Sequence, residues 1–422
     1  MREGQPVELR EKRHGGTPSR TNQSLWNGGI PWLTPTGVSA LRDKYVRETA
    51  ETISKEGLAG SAARLLPVGS IMVTTRATIG EAAIAGVPLA TNQGFKNIIP
   101  NESTDSVFAY YAIQTLKRQM LCLASGTTFL EISKADFSRI RARRPKRNEQ
   151  KRIAAVLDTV DDSIAATDAT IEKLRQVRRG IMDDLFTRGI TPDGRLRPTR
   201  ETAPQLYKES PFGWIPKEWS ADSLENVTSR IVDGVHRTPT YVDRGIPFVT
   251  VKNLTLSRSI DFTDLNHITL SDHREFLLRA DPKPGDVLVT KDGTLGISRI
   301  VEPYHPEFSI FVSVALLRPN PKRIRAWMLH LFFDSGAYVR QLGRLSAGTG
   351  LKHIHLEHFR KFVVPLPDLE EQDRVACVAR SLEEALGCEN NRHSRLLHIK
   401  RGMMNDLLSG GRHVPEGIGV TP

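Results

Sequence analysis

Cysteine is scarce in this chain: Cys122, Cys377 and Cys388 are the only three in 422 residues. They form no CxxC pair and no cluster with histidine, which excludes a disulfide framework and a zinc site of the usual spacing. No apolar run approaches the length of a membrane span, so no membrane partner is expected. The opening Met1-Arg2-Glu3-Gly4-Gln5-Pro6 lacks the apolar core of a signal peptide, and a reducing cytoplasm is the expected location. Catalytic signatures are missing too. There is no GxxxxGK[ST], no GxGxxG on a strand-turn-helix, no HExxH and no GxSxG. Nor is there an Asn-Pro-Pro-aromatic run to hold a flipped adenine. No catalytic residue and no metal ligand is therefore assigned.

What the chain does have is positive charge and a repeat. Its net charge is +11 and its pI is near 9.6, which favours an acidic partner, nucleic acid being the commonest. An apolar fraction of 39% and a charged fraction of 25% are those of a globular protein long enough for two or three cores. Read in steps of four and three, residues 148–185 give Ile153, Leu157, Val160, Ile164, Thr167, Ile171, Leu174, Arg178, Ile181 and Leu185. That spacing is the seam of a long helix packed against a partner helix. Adding 222 to each number gives Val375, Ala379, Leu382, Leu386, Glu389, His393, Leu396, Lys400, Met403 and Leu407, a second copy of the seam. The polar pairs Thr167/Glu389 and Arg178/Lys400 either fix register, face another subunit, or sit at the solvent edge of the pair.

The repeat extends beyond the helices. Gly29-Ile30-Pro31-Trp32-Leu33-Thr34 matches Gly245-Ile246-Pro247-Phe248-Val249-Thr250 at an offset of 216, and Gly69-Ser70-Ile71-Met72-Val73-Thr74 matches Gly285-Asp286-Val287-Leu288-Val289-Thr290 at the same offset. Later, Gly126-Thr127, Ile132, Phe137 and Pro145 match Gly348-Thr349, Ile354, Phe359 and Pro367 at 222. The chain is a tandem duplication of two domains. Residues 1–147 are read as the first domain, 148–188 as a central helix and 189–210, rich in Pro, Thr and charge, as a linker. Residues 211–367 form the second domain, 368–409 the C-terminal helix and 410–422 a frayed tail. The opening of the second domain, at 211–219, has no counterpart in the first, because the offset places it before Met1, so either the native start lies upstream or the first domain lacks an edge element. The fold class is α+β, with the two long helices pairing antiparallel.

Two small, hydroxyl-rich loops recur in each unit. Such loops let backbone approach phosphates while hydroxyls and cations reach them. The candidate DNA-contacting residues are Arg76, Thr78, Thr127 and Thr128 in the first unit, and Lys291, Thr294, Thr349 and Lys352 in the second. Ordinary turns carrying solvated charges are the alternative. Asp286 with Lys291 has the look of a nuclease pair at a spacing that chance readily gives. His353, His355 and His358 alternate near a strand, where a solvated or phosphate-facing cluster is favoured over a metal site. The run from 139 to 152 holds eight basic residues, more than an ordinary solvated face.

This pattern resembles the specificity subunit of Type I restriction-modification systems. The resemblance covers nearly the whole chain. It rests on Gly213-Trp214-Ile215-Pro216-Lys217-Glu218-Trp219, on Gly29-Ile30-Pro31-Trp32, on Pro365-Leu366-Pro367 with Glu371-Gln372, and on the helix endings at Asp184-Leu185 and Asp406-Leu407. The resemblance implies that each unit is a target-recognition domain reading one half of a split double-stranded DNA sequence. It implies that the helix pair docks two methyltransferase (modification) subunits, and that restriction/translocase subunits join them. S-adenosylmethionine, ATP and Mg are then expected on those partners and none on this chain. The 38 residues from 148 to 185, as a helix, span about 57 Å, enough to hold two readers one duplex turn, about 34 Å, apart. The competing reading is a coiled-coil adaptor of duplicated domains with no DNA affinity.

Overall fold

Apolar runs without polar alternation belong in the middle of a sheet, covered on both faces. The computed structural model describes residues 7–8, 15–76, 78–126, 130–345 and 352–416, and it gives two such runs that position. Ile71–Thr74 lies between Ala82–Ala85 and Phe95–Ile98, and Val287–Thr290 lies between Ser298–Ile300 and Val314–Pro319. All four residues of each central strand are buried. The register repeats: Met72 faces Ala83 as Leu288 faces Arg299, an offset of 216 on both strands. A second sheet in each unit carries the same parallel pairing, Trp32 with Ala90 and Phe248 with Ser309.

The fold is α+β, with two strand-rich units and two long helices. One compact unit comprises Met1–Ala169 with Asn390–Pro422, the other Thr170–Glu389. The helices are Arg147–Thr187 and Leu369–Ser409, 41 residues each. Each ends at a glycine with positive φ, Gly189 at 66° and Gly410 at 84°, the left-handed stop that glycine adopts without a Cβ penalty. Within the first unit, Ile153 and Leu157 from the start of one helix share a core with Leu407 and Leu408 from the end of the other. Within the second, Leu185 shares a core with Val375 and Ala379, again end against start. The two helices therefore run antiparallel in each unit.

Each helix is fastened to its own domain by the same glutamine. Gln150 Oε1 accepts from the Asp105 amide at 2.8 Å, while Nε2 donates to the carbonyls of Ser103 at 3.1 Å and Pro145 at 2.8 Å. Gln372 does the same with the Arg325 amide at 2.8 Å and the carbonyls of Arg323 and Pro367, both at 3.0 Å. Both glutamines are fully buried, so each amide replaces water for three backbone groups.

Several expectations need correction. Residues 189–210 are not a free linker. Ile190, Arg197, Ala203 and Tyr207 are buried, and Arg197 forms an ion pair with buried Glu371. The polar composition hid this because its charges are satisfied inside the unit. The tail is packed as far as it is described: Val414 is buried in the core with Ile153 and Leu157, and His413 Nδ1 lies 2.7 Å from Glu149. The apolar stretch 308–317 is not one strand but two in different sheets, Ser309–Ile310 and Val314–Pro319. Val7–Glu8 pairs with Arg141–Ala142 in the register that Ser220–Ser223 keeps with Val363–Leu366, so the first unit does carry that edge pairing.

Candidate nucleic-acid interface

After each central strand the chain makes the same closed turn. The Gly80 amide donates to the Thr74 carbonyl at 2.9 Å, and the Glu81 amide to Thr74 Oγ1 at 3.0 Å. In the second unit the Gly296 amide donates to the Thr290 carbonyl at 3.0 Å, and the Ile297 amide to Thr290 Oγ1 at 2.9 Å. Gly80 and Gly296 have φ of 85° and 80°. A Cβ on Gly296 would also meet the Tyr338 ring at 2.5 Å, so only glycine closes this turn.

A second loop is pinned to each turn. The Ile132 amide donates to the Thr75 carbonyl at 3.2 Å, and the Ile354 amide to the Lys291 carbonyl at 2.8 Å. One residue further on, Arg76 bridges Glu131 with Nε 2.9 Å from the carboxylate. At the equivalent positions Asp292 bridges His353, and the two side chains are in contact. The cross-loop pair is kept while acid and base change places. Both pairs are only partly shielded from solvent.

The candidate residues fall into three groups. Arg76, Thr294 and Lys352 are exposed at these loops, and Thr78 is half-buried beside them with a hydroxyl lacking a hydrogen-bond partner among the described residues. Thr127, Thr128 and Thr349 lie outside the described residues. Lys291 is a correction. It is 3% exposed, and its Nζ lies 3.2 Å from Asp233, which is just as buried. The position is interior in both units, since Thr75 is its counterpart and is fully buried. Burial alone would push the Asp233 carboxyl up, but Arg279 and Lys291 hold it below the usual carboxylate value. Lys291 thus braces the turn from inside and has no charge to spare for a phosphate.

The remaining sequence features also have places. Asp286 is buried and accepts two bonds of 2.8 Å from Arg318, a structural ion pair rather than a nuclease pair with Lys291. His353, His355 and His358 stack edge to face, with centroids 4.4 Å and 5.7 Å apart. Among the described residues no group of three or more His, Cys, Asp or Glu side chains is placed to hold a metal. Every seam position is buried or half-buried. Arg178 forms ion pairs with Asp334 and Glu383, and its counterpart Lys400 with Asp161, so neither polar seam residue is held for another subunit. No described helix is long and apolar enough to cross a membrane.

Residues 7–176 match the family model described as the Type I restriction modification DNA specificity domain. Over 273 residues the chain is 29% identical to the Type I restriction enzyme MjaIX specificity subunit of Methanocaldococcus jannaschii. Over these stretches the chain is similar to Type I specificity subunits. The alignment with the MjaIX subunit takes in 63% of this chain and 61% of that relative, so the chain spans somewhat under two thirds of its length. Two solved structures share the fold along nearly the whole chain. The S subunit of a Type I restriction-modification system from M. genitalium superposes with a TM-score of 0.55 at 16% identity, covering 94% of this chain and 92% of that one. A chain from a structure addressing complex assembly and conformational transition of the type I R-M system superposes with a TM-score of 0.57 at 17% identity, covering 97% and 98%. Sequence reasoning located the recurring loops of each unit and the two helix seams. It missed the inward role of Lys291, which only the equivalence with Thr75, directly after the apolar run 71–73 and Thr74, would have signalled.

Proposed function

We propose that this chain is the non-catalytic reader of a Type I restriction-modification complex. Each unit reads one half of a bipartite, asymmetric duplex sequence. Partner subunits, two methyltransferases and the restriction/translocase subunits, then methylate adenine there or cleave unmodified DNA. S-adenosylmethionine, ATP and Mg belong to those partners, and the complex works in the cytoplasm. The observation that carries this reading is the pair of loop sites. The frame of turn, bridge and pinned second loop repeats, while the side chains displayed on it differ: Arg76 and Glu131 in one unit, Asp292 and His353 in the other. A fixed frame with exchanged hydrogen-bonding groups is what two readers of different half-sites need.

Long-read methylation mapping of the host with and without the gene tests this. The expected result is loss of one split, gapped adenine-methylation motif on deletion. An unchanged methylome in a strain whose methyltransferase is active would overturn the reading. Lys352→Ala is expected to weaken duplex binding uniformly across sequences and to reduce the slope of log K against log salt by about one.

A further inference from the structure

A cavity of about 340 Å³ opens in the second unit where the central helix, the strand Ser298–Ile300 and the C-terminal helix meet. Its walls carry five guanidinium groups, of Arg175, Arg178, Arg179, Arg258 and Arg299, against two carboxylates, of Asp334 and Glu383. Both carboxylates are taken by Arg178. Arg258 is held only by a carbonyl, Nη1 donating to Glu383 O at 2.8 Å. Arg299 is likewise held by carbonyls, Nε donating to Ser257 O at 3.0 Å and Nη1 to Ser298 O at 2.5 Å. Among the described residues no carboxylate pairs with either guanidinium. Burial pulls both arginines below their ordinary value, by more than the nearby carboxylates restore. Such an arrangement is costly unless an anion completes it.

The first unit keeps a cation at three of the five counterpart positions, Lys400, Arg401 and Arg42, and loses it at two. The strand register puts Ala83 where Arg299 stands. The helix offset puts Leu397 where Arg175 stands. The shared glutamine contacts to Asp105 and Arg325 put Tyr110 where His330 lines the cavity. The second unit thus gathers more positive charge at this place than the first, chiefly through Arg299 and Arg175.

We propose that this cavity is a binding site for a phosphoryl anion. Planar guanidinium forks match the paired oxygens of phosphate, and several converging forks favour a group with three or more oxygens over a single carboxylate. Gly296, which closes the turn of the candidate interface, also lines the cavity, so the site adjoins the loop that displays Thr294. A phosphodiester of bound duplex and a free phosphate or pyrophosphate share this chemistry. Only the first source rests on the DNA-reading proposal.

The test uses the full chain. Thermal unfolding is measured with sodium pyrophosphate and with sodium phosphate, each against sodium chloride at equal ionic strength. Pyrophosphate at 1 mM is expected to raise the wild-type midpoint by about 3 °C. It should not do so in Arg258→Gln/Arg299→Gln, nor in Arg175→Gln/Arg179→Gln, whose side chains are exposed and free to change without unpacking the fold. A parallel titration measures duplex affinity against salt. A slope reduced by about two in the variants assigns the site to a backbone phosphate of DNA. An unchanged slope with a wild-type pyrophosphate shift that the variants lose assigns it to a free phosphoryl ligand, and a shift that persists in both variants overturns the proposal. No midpoint shift in the wild type and no change in slope overturn the proposal. If the chain binds no duplex at all, the DNA reading fails while the pyrophosphate measurement still decides the site.

Discussion

The two units differ most where they are most alike in outline, at the start of each long helix. Glu149 and Glu371 occupy the same place, one residue before the buried glutamine. Glu371 is 2% exposed and accepts from the Ile190 amide at 2.8 Å, from Trp219 Nε1 at 3.0 Å and from Arg197 Nη2 at 3.0 Å. Glu149 meets only exposed His413, at 2.7 Å, and Arg143, at 3.7 Å. The segment after the central helix, 188–197, and the segment after the C-terminal helix, 410–414, serve the same acid in the two units, one from the interior and one near the surface. Sequence equivalence therefore fixes the place of a contact but not its energy, which follows burial.

Mutation separates the two. Glu371→Ala leaves the Arg197 guanidinium buried beside a half-exposed partner, Glu218, and should cost about 3–5 kcal/mol. Glu149→Ala removes a solvent-screened pair and should cost under about 1 kcal/mol. Urea unfolding of the two variants, compared at constant m, checks the contrast. Equal losses would sink it.

His330 sharpens the comparison by pH. Burial, then the neighbouring arginines, pushes its imidazole down to about 4, and Ser298 Oγ lies 2.7 Å from its Nδ1. The folded value lies below the ordinary one near 6.5, so between the two the unfolded chain binds the extra proton. Stability from this group is complete above pH 6.5 and declines as pH falls toward 4, by about 3 kcal/mol in all. Tyr110, at the same place in the first unit, has its phenol pushed up to about 12 by burial and does not titrate in that window. His330→Gln should flatten this part of the stability profile, measured by denaturation at pH 4.5 and 7. An unchanged difference would show that the loss arises elsewhere.

The glutamines make the opposite prediction, equality. Gln150→Ala and Gln372→Ala each orphan one buried amide and two carbonyls and should each cost about 2 kcal/mol. Hydrogen exchange at the Asp105 and Arg325 amides reads each loss locally. A large inequality would mean that the shared geometry conceals different packing.

Much of this frame was legible because it repeats. Offsets of 216 and 222 locate the central strands, the glycine turns and both helix seams, since periodicity and turn chemistry are local properties of sequence. What was not legible depends on where charges end up. Lys291 looks like any loop lysine until Asp233, 58 residues earlier, is seen 3.2 Å away. Arg258 and Arg299 gain their meaning only from meeting in one cavity with no acid to spare. The segment 189–210 reads as linker because satisfied buried charge and solvated charge have the same composition. Long-range pairing carries no periodic signal, so residue type alone does not separate inward from outward cations.

The exchanged bridge offers the finest test. Arg76 with Glu131 and Asp292 with His353 join equivalent loops. Both pairs are partly exposed, so their contribution to stability is expected to stay below about 1 kcal/mol. If the pair only fastens loops, transplanting Asp292→Arg with His353→Glu into the second unit changes neither stability nor target. If these side chains also present groups to bases, the double variant keeps its unfolding midpoint within about 2 °C and alters methylation at one half-site alone. The other half-site, read by the untouched first unit, then serves as the internal control. Altered methylation at both halves would break the assignment of one half-site to each unit's loops, and at neither would show that the pair only fastens them.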